Sequence, residues 1–189
     1  CATVHVYGND INDTLKEGER RYLREPAGID ERYPTLGGAL SPLHGSKAAA
    51  DIFVKVYIDT YKIEAASFRL TGIYGTRQFG GEDHGWVANF AFRSVQGRPI
   101  TIYGTGKQVR DIIYATDVCR AFDAFYTTRK SGIYNIGGGT KTAISLLECI
   151  KIIAKITGHE PEVKIAPDRF ADLRYFVCNV GKAKKELNW

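Results

Sequence analysis

A helix that runs straight into a buried strand constrains this chain more than any other feature. From Lys47 to about Tyr61 alanines and apolar residues recur at helical spacing, and "AASFRLTGIYG" follows as a short apolar run ending in a glycine turn. A run of that kind belongs inside a parallel sheet, so the two stretches read as part of a βαβ unit. Upstream, "TVHVYG" at 3–8 alternates β-branched and aromatic residues like a strand. Between them, Asn9 to Ser41 is polar and turn-rich, too long for a simple connection, and is expected to form a functional loop or flap.

The alternation continues downstream. Residues 86–96, "WVANFAFRSVQ", suit a helix ended by Gly97, and "ITIYGTGKQVRDIIYA" suits two strands joined by a Gly-Thr-Gly hairpin turn. Thr116 or Asp117 is expected to cap a helix through Tyr126, and "GIYNIGGG" reads as a strand and turn. Ser145 is expected to cap a helix that carries Leu146, Cys149, Ile150 and Ile153 on one face before Gly158. From Glu162 the tail reads as a short strand, an arginine loop and a last helical turn. The fold class is α/β with a largely parallel sheet, although the strands are few and the first one needs neighbours that the sequence does not visibly supply.

Composition removes several function classes. With 189 residues, 44% of them hydrophobic and 25% charged, the chain can bury a core as one domain or one plus a small appendage. No apolar run is long enough to cross a bilayer and no signal-peptide pattern is present, so the expected location is the cytoplasm, away from membranes. The four cysteines, Cys1, Cys119, Cys149 and Cys178, form no C-x-x-C pair and read as reduced thiols, with no metal site. A net charge of +5 is spread along the chain without a basic block, which speaks against a nucleic-acid partner and for small anionic ligands.

Two glycine-rich stretches invite a phosphate-loop reading, "GTGKQ" at 104–108 and "GGGTKT" at 137–142. A P-loop needs lysine directly after its last glycine and Ser or Thr next, and neither stretch has that order. Both read as turns. The G-x-G-x-x-G fingerprint of a dinucleotide site is absent near the amino terminus. "GGEDHG" at 80–85 reads as an acidic surface loop rather than a metal cluster.

Taken together, "TVHVYG", "SPLHGSKAAAD", "FRLTGIYGTRQFGGEDHGW", "GRPITIYGTGKQVRDIIYATDV", "GIYNIGGG" and "KAKKELNW" resemble, in order and spacing, the NAD-dependent epimerase/dehydratase family. These are extended short-chain dehydrogenase/reductases that act on nucleotide sugars, and "GTRQFGGEDHGW" is most similar to the CDP-paratose 2-epimerase (CDP-tyvelose epimerase) branch. The resemblance covers nearly the whole chain. It implies a partial Rossmann-like parallel sheet, the carboxy-terminal half of that domain, with a small α/β substrate-binding domain. Residues 1–75 would be the Rossmann part and 76–189 mainly the nucleotide-sugar domain, some segments returning to the sheet. The family's amino-terminal half, with its glycine fingerprint, has no counterpart here, and the expected reading is a fragment.

The family's chemistry is transient oxidation of a sugar carbon by NAD and re-reduction by the same NADH. A tyrosine phenolate serves as base, its pKa brought down from about 10 by a lysine ammonium one helical turn away. The resemblance makes Thr3 the hydroxyl beside the reacting sugar, Lys47 the lysine that also holds NAD, and Leu43 the position of the absent tyrosine. Leucine moves no proton. His44, Tyr33 in the long loop, or a purely binding role are the three ways such a site could stand.

On the substrate side the resemblance places Arg110 and Arg169 on the nucleotide diphosphate, where fixed guanidiniums suit phosphate. Asn89 and Tyr103 would line the same cleft, and Gly72 stands where many relatives have asparagine. Surface ion pairs with Asp111 or Asp172 are the plainer reading of the arginines. The expected protein is thus an epimerase-like binder of a nucleoside-diphosphate sugar, with a catalytically silent binding module as the alternative. A homodimer through "AAADIFVKVY" is one reading of that apolar stretch; an internal core face would look the same.

Overall fold

In the computed structural model, which describes residues 1–189, the chain opens with β1 (Ala2–Thr3) and two 3-10 turns at Val4–Tyr7 and Asp10–Thr14. A small hairpin follows, β2 (Lys16–Glu17) and β3 (Tyr22–Leu23), before α1 (Pro42–Tyr61), β4 (Ala66–Leu70), β5 (Gly72–Tyr74) and α2 (Trp86–Val95). Next come β6 (Ile100–Tyr103), β7 (Val109–Tyr114), α3 (Ala115–Thr128), β8 (Gly132–Ile136), β9 (Ala143–Ser145) and α4 (Leu146–Thr157). β10 (Val163–Ala166), β11 (Tyr175–Phe176) and α5 (Gly181–Leu187) complete the chain.

The parallel pairing expected around the first helix is present. β1, β4 and β8 lie side by side, all parallel, in the order β1-β4-β8. α1 packs across this sheet, while α3 and α5 cover β8, β5 and β7. Phe68, Tyr134 and Ile136 of the sheet meet Val118 and Ala121 of α3 and Ala183 and Leu187 of α5, all buried. Burying one such large apolar side chain contributes roughly 1.5–3 kcal/mol.

The outer edge of β8 is closed by side chains. Lys182 Nζ donates to the Ile133 carbonyl at 2.8 Å, and the Asn135 N–H donates to Glu31 Oε1 at 2.7 Å. Unpaired strand groups that would recruit another strand are thereby satisfied.

A second body forms around β6, which pairs with β10 in parallel, with α2 and α4 packed beside it. Phe90, Ile100, Ile102, Cys149, Ile150 and Ile153 make its core, so the apolar face expected on the helix after Ser145 is the buried one. Ser145 does cap that helix: its Oγ accepts the Glu148 N–H at 3.2 Å while Glu148 Oε2 accepts the Ser145 N–H at 2.9 Å.

Three local expectations are corrected. "TVHVYG" is a strand only through Thr3, after which the chain tightens into a 3-10 turn; Thr3 Oγ1 accepts the His5 N–H at 3.4 Å, and Val4, Val6 and Tyr7 are all buried, which no one-sided strand permits. β6 and β7 are not a hairpin. β11 and β9 both pair with Val109 and Arg110 and so occupy both edges of β7 there, leaving β6 to pair elsewhere. The intervening turn uses φ of 84° at Gly104 and 76° at Gly106, which favours glycine at both. Finally, Thr116 and Asp117 lie inside α3 rather than before it, because β7 passes directly into the helix at Tyr114.

Candidate functional site

The end of β1, the start of α1, the 82–86 loop and the 169–172 loop enclose a cavity of about 430 Å³. Thr3, His5, Leu43, His44, Arg110 and Arg169 line it. A recess of about 140 Å³ adjoins it, adding Tyr103, Phe90 and Gln108 while sharing Trp86, Arg110, Arg169 and Asp172. A larger groove of about 860 Å³, beside β8 and the end of α1, mixes Lys55, Asp59, Lys182 and Glu186 and contains none of the residues singled out from the sequence.

The helix start is fixed by local chemistry. Pro42 takes the first turn, where its missing N–H costs nothing, and His44 Nδ1 accepts the Ser41 N–H at 3.1 Å with Ser41 Oγ at 2.7 Å. His44 is therefore a buried cap residue whose Nε2 has no partner. Burial holds its pKa below the ordinary histidine value, partly countered by Asp172. Leu43 is half exposed and presents an apolar surface to the cavity. Lys47 stands one turn further along α1, half-buried, and is not among the cavity-lining residues. Tyr33 packs edge-on against Tyr7, 6.3 Å between ring centres, with Arg24 over its face; it does not reach the cavity.

Arg110 projects from β7 with its side chain 13% exposed. Its Nη1 donates to the Val109 carbonyl at 2.9 Å, and its Nη2 has only a long contact, 3.4 Å, with Asp172 Oδ1. Burial pulls its pKa below the ordinary arginine value, with Asp172 and Asp111 opposing. Arg169 lies 4.0 Å over the Tyr103 ring, donates to the Glu82 carbonyl at 2.8 Å and pairs with Asp83 at 3.1 Å. The stack fixes a guanidinium plane and an aromatic face together. Asn89 is turned away: its amide lies 3.4 Å from the Gly80 carbonyl, and it lines neither space. Gly72 does line the cavity, and a Cβ there would meet Ile112 at an ordinary 3.4 Å.

Sequence reading missed His5. It lines the cavity beside Thr3, its ring is edge-on to His44 at 5.3 Å, and its Nδ1 is buried without a partner. Burial, then the Arg110 charge, then His44 push its pKa down to about 3. The available signal was its position two residues after Thr3. Asp111, expected as a surface ion-pair partner of an arginine, is instead fully buried and pairs with none; its carboxylate accepts from the Thr71 hydroxyl at 2.8 Å and the Gly139 N–H at 3.0 Å. Burial raises its pKa, and these donors partly offset the shift.

Neither glycine-rich stretch has the order of a phosphate loop, and the first glycine turn of each is packed against protein. A Cβ on Gly104 would fall 2.0 Å from Asp168 Oδ1, and one on Gly138 would fall 1.7 Å from Thr142 Oγ1, so the space beside both is already filled by protein. The cavity and its recess combine a hydroxyl, two imidazoles and two guanidiniums with an aromatic face, a set suited to a polyhydroxylated anion.

A sheet of parallel strands under α1, with such a cavity at the ends of its first strands, defines a Rossmann-like fold. The model of the NAD dependent epimerase/dehydratase family matches residues 1–137. CDP-paratose 2-epimerase of Salmonella typhi is 33% identical over this whole chain, which spans 58% of that protein. The NAD complex of UDP-glucose 4-epimerase from Thermus thermophilus superposes with a TM-score of 0.79 at 32% identity, covering 97% of this chain and 56% of the other. UDP-glucose 4-epimerase of Thermotoga maritima with UDP-glucose gives a TM-score of 0.81 at 25% identity, covering all of this chain and 56% of the other. The chain belongs to the NAD-dependent epimerase/dehydratase family. It spans little more than half the length of these relatives.

Proposed function

We propose that this chain binds a nucleoside-diphosphate sugar in the 430 Å³ cavity and its adjoining recess. Arg110 carries the reading: a desolvated guanidinium with one long ion-pair contact, set between the space that holds Thr3 and the recess that holds Tyr103. A diphosphate would complete its hydrogen bonds, as bidentate anions do for arginine. Arg169 assists at the diphosphate, Tyr103 stacks near base or ribose, and Thr3 meets the sugar. In this reading residues 1–75 form the Rossmann part and 76–189 mainly the nucleotide-sugar part.

The family's cofactor is NAD, which supplies hydride transfer at the sugar carbon when bound. The residues here fit it in part. Lys47 stands on α1 where it could hold a ribose, but the chain carries no G-x-G-x-x-G turn at a helix start to take a pyrophosphate. The residues of this chain bind and orient the ligand. The observation favouring a binding role over turnover is Leu43, an apolar side chain lining the cavity at the position that the resemblance gives to the family's base.

The chain's four cysteines are free and no helix is long and apolar enough to cross a membrane; a cytoplasmic location is part of the same reading. So is a homodimer through the exposed Ile52, Phe53, Val56 and Tyr57 of α1, tested by light scattering. The nucleotide reading is tested by calorimetric titration with CDP and UDP. Saturable binding lost in Arg110→Ala supports it. Absence of binding, or binding untouched by that change, refutes it.

A further inference from the structure

The cavity holds one polar side chain that the fold does not explain. His44 is a buried polar residue with a structural task, because its Nδ1 serves the Ser41 cap and fixes the start of α1. His5 has no such task. Its Nδ1 is sealed without a partner, and the ring nevertheless lines the cavity, which leaves the Nε2 edge to face it. Its backbone N–H is the donor to Thr3 Oγ1, so ring and hydroxyl are held two residues apart in one tight turn. Arg110 lines the same cavity from β7, and the His44 ring at the start of α1 stands edge-on to the His5 ring at 5.3 Å.

We propose that His5 is a sugar-recognising residue of the nucleotide-sugar site, donating from Nε2–H to a sugar oxygen next to Thr3. The proposal rests on the nucleotide-sugar reading and adds to it the residue that distinguishes a nucleotide sugar from a bare nucleotide. Tautomer chemistry supports the donor role. A neutral imidazole carries one N–H and one lone pair, and a sealed, partnerless nitrogen near a guanidinium keeps the lone pair more cheaply than the proton. The proton then sits on the cavity side. The ring stays neutral because burial disfavours its charged form and the Arg110 charge adds to that. A neutral donor suits a hydroxyl or keto oxygen and adds little attraction for the diphosphate, so the arginines and His5 divide the ligand between them.

The test is calorimetry on the chain with UDP against UDP-glucose and CDP against CDP-glucose, in the unsubstituted protein, His5→Gln and His5→Phe. Glutamine keeps an N–H donor at nearly the same reach; phenylalanine keeps the bulk and loses it. The expected result is that the sugar increases affinity about tenfold in the unsubstituted protein, that His5→Gln retains most of this increment, and that His5→Phe abolishes it while UDP and CDP affinities stay within about twofold. Circular dichroism melting checks that each variant is folded, and His5→Ala takes the place of the donor-less variant if phenylalanine does not fold. Equal affinity for nucleotide and nucleotide sugar, or a sugar increment that survives His5→Phe or is lost equally in His5→Gln, overturns the proposal and leaves the nucleotide reading standing. Binding of neither ligand overturns both.

Discussion

Asp51 and Arg69 form an ion pair inside the protein, with Arg69 Nη2 2.7 Å from Asp51 Oδ2 and side chains only 4% and 5% exposed respectively. Ser67 Oγ donates to the other carboxylate oxygen at 2.5 Å, and the Arg69 guanidinium lies 4.7 Å over Tyr7, whose hydroxyl donates to Asn135 at 2.7 Å. The chain of contacts ties α1 to β4, to the turn after Thr3 and to β8. It sets the helix bearing Leu43 and Lys47 against the cavity floor.

Asp51→Ala should therefore destabilise the protein by about 3–5 kcal/mol, since it strands a buried guanidinium. Replacing both partners, Asp51→Leu with Arg69→Met, should recover most of that loss. Urea unfolding of the three proteins decides; a loss below about 1 kcal/mol in the single variant would mean that the pair does not hold α1 in place.

Acid should weaken the protein through His5. A histidine whose folded pKa is depressed takes up its proton on unfolding, so stability falls as pH drops from about 6.5 toward 3. Fully expressed, the depression corresponds to at most roughly 5 kcal/mol, a share of it coupled to His44. His5→Gln should flatten the melting temperature across that window relative to the unsubstituted protein, and parallel curves would show that the ring is already hydrated.

Ser145→Ala should cost about 1 kcal/mol through loss of the helix cap. The same substitution loosens Glu148, which also pairs with Arg21 of the hairpin turn before β3. An Arg21→Ala change made on top of Ser145→Ala should accordingly be non-additive in chemical denaturation.

Leu43→Tyr should leave stability within about 0.5 kcal/mol, because the position is half exposed at the cavity mouth. Joined to the amino-terminal half of the Thermotoga relative and supplied with NAD, the tyrosine variant should interconvert UDP-glucose and its epimer faster than the leucine form. Equal turnover in both would assign proton transfer to another group.

Much of the α/β framework was legible because it rests on periodicity: the long helix, the buried strand at 66–70 and the Ser145 cap all follow from local spacing and capping chemistry. The turn after Thr3 was not. Alternating residues looked like a strand, and only the burial of Val4, Val6 and Tyr7 together shows why the chain coils there. The partners of β7 were likewise hidden, since they come from residues 143–145 and 175–176, distant in sequence. At the site, Thr3, Leu43, Arg110 and Arg169 line one cavity and Tyr103 its adjoining recess, while Lys47 and Asn89 line neither; His5, two residues after Thr3, drew notice through a buried, unpaired nitrogen, a property of the folded state.

The closed edge of β8 has a consequence for assembly. With the Ile133 carbonyl and the Asn135 amide already held by Lys182 and Glu31, lateral growth of the β1-β4-β8 sheet is blocked on that flank. Any strand that joins, from this chain or another, has a single address, the unpaired side of β1, and it would arrive next to Thr3 and the cavity.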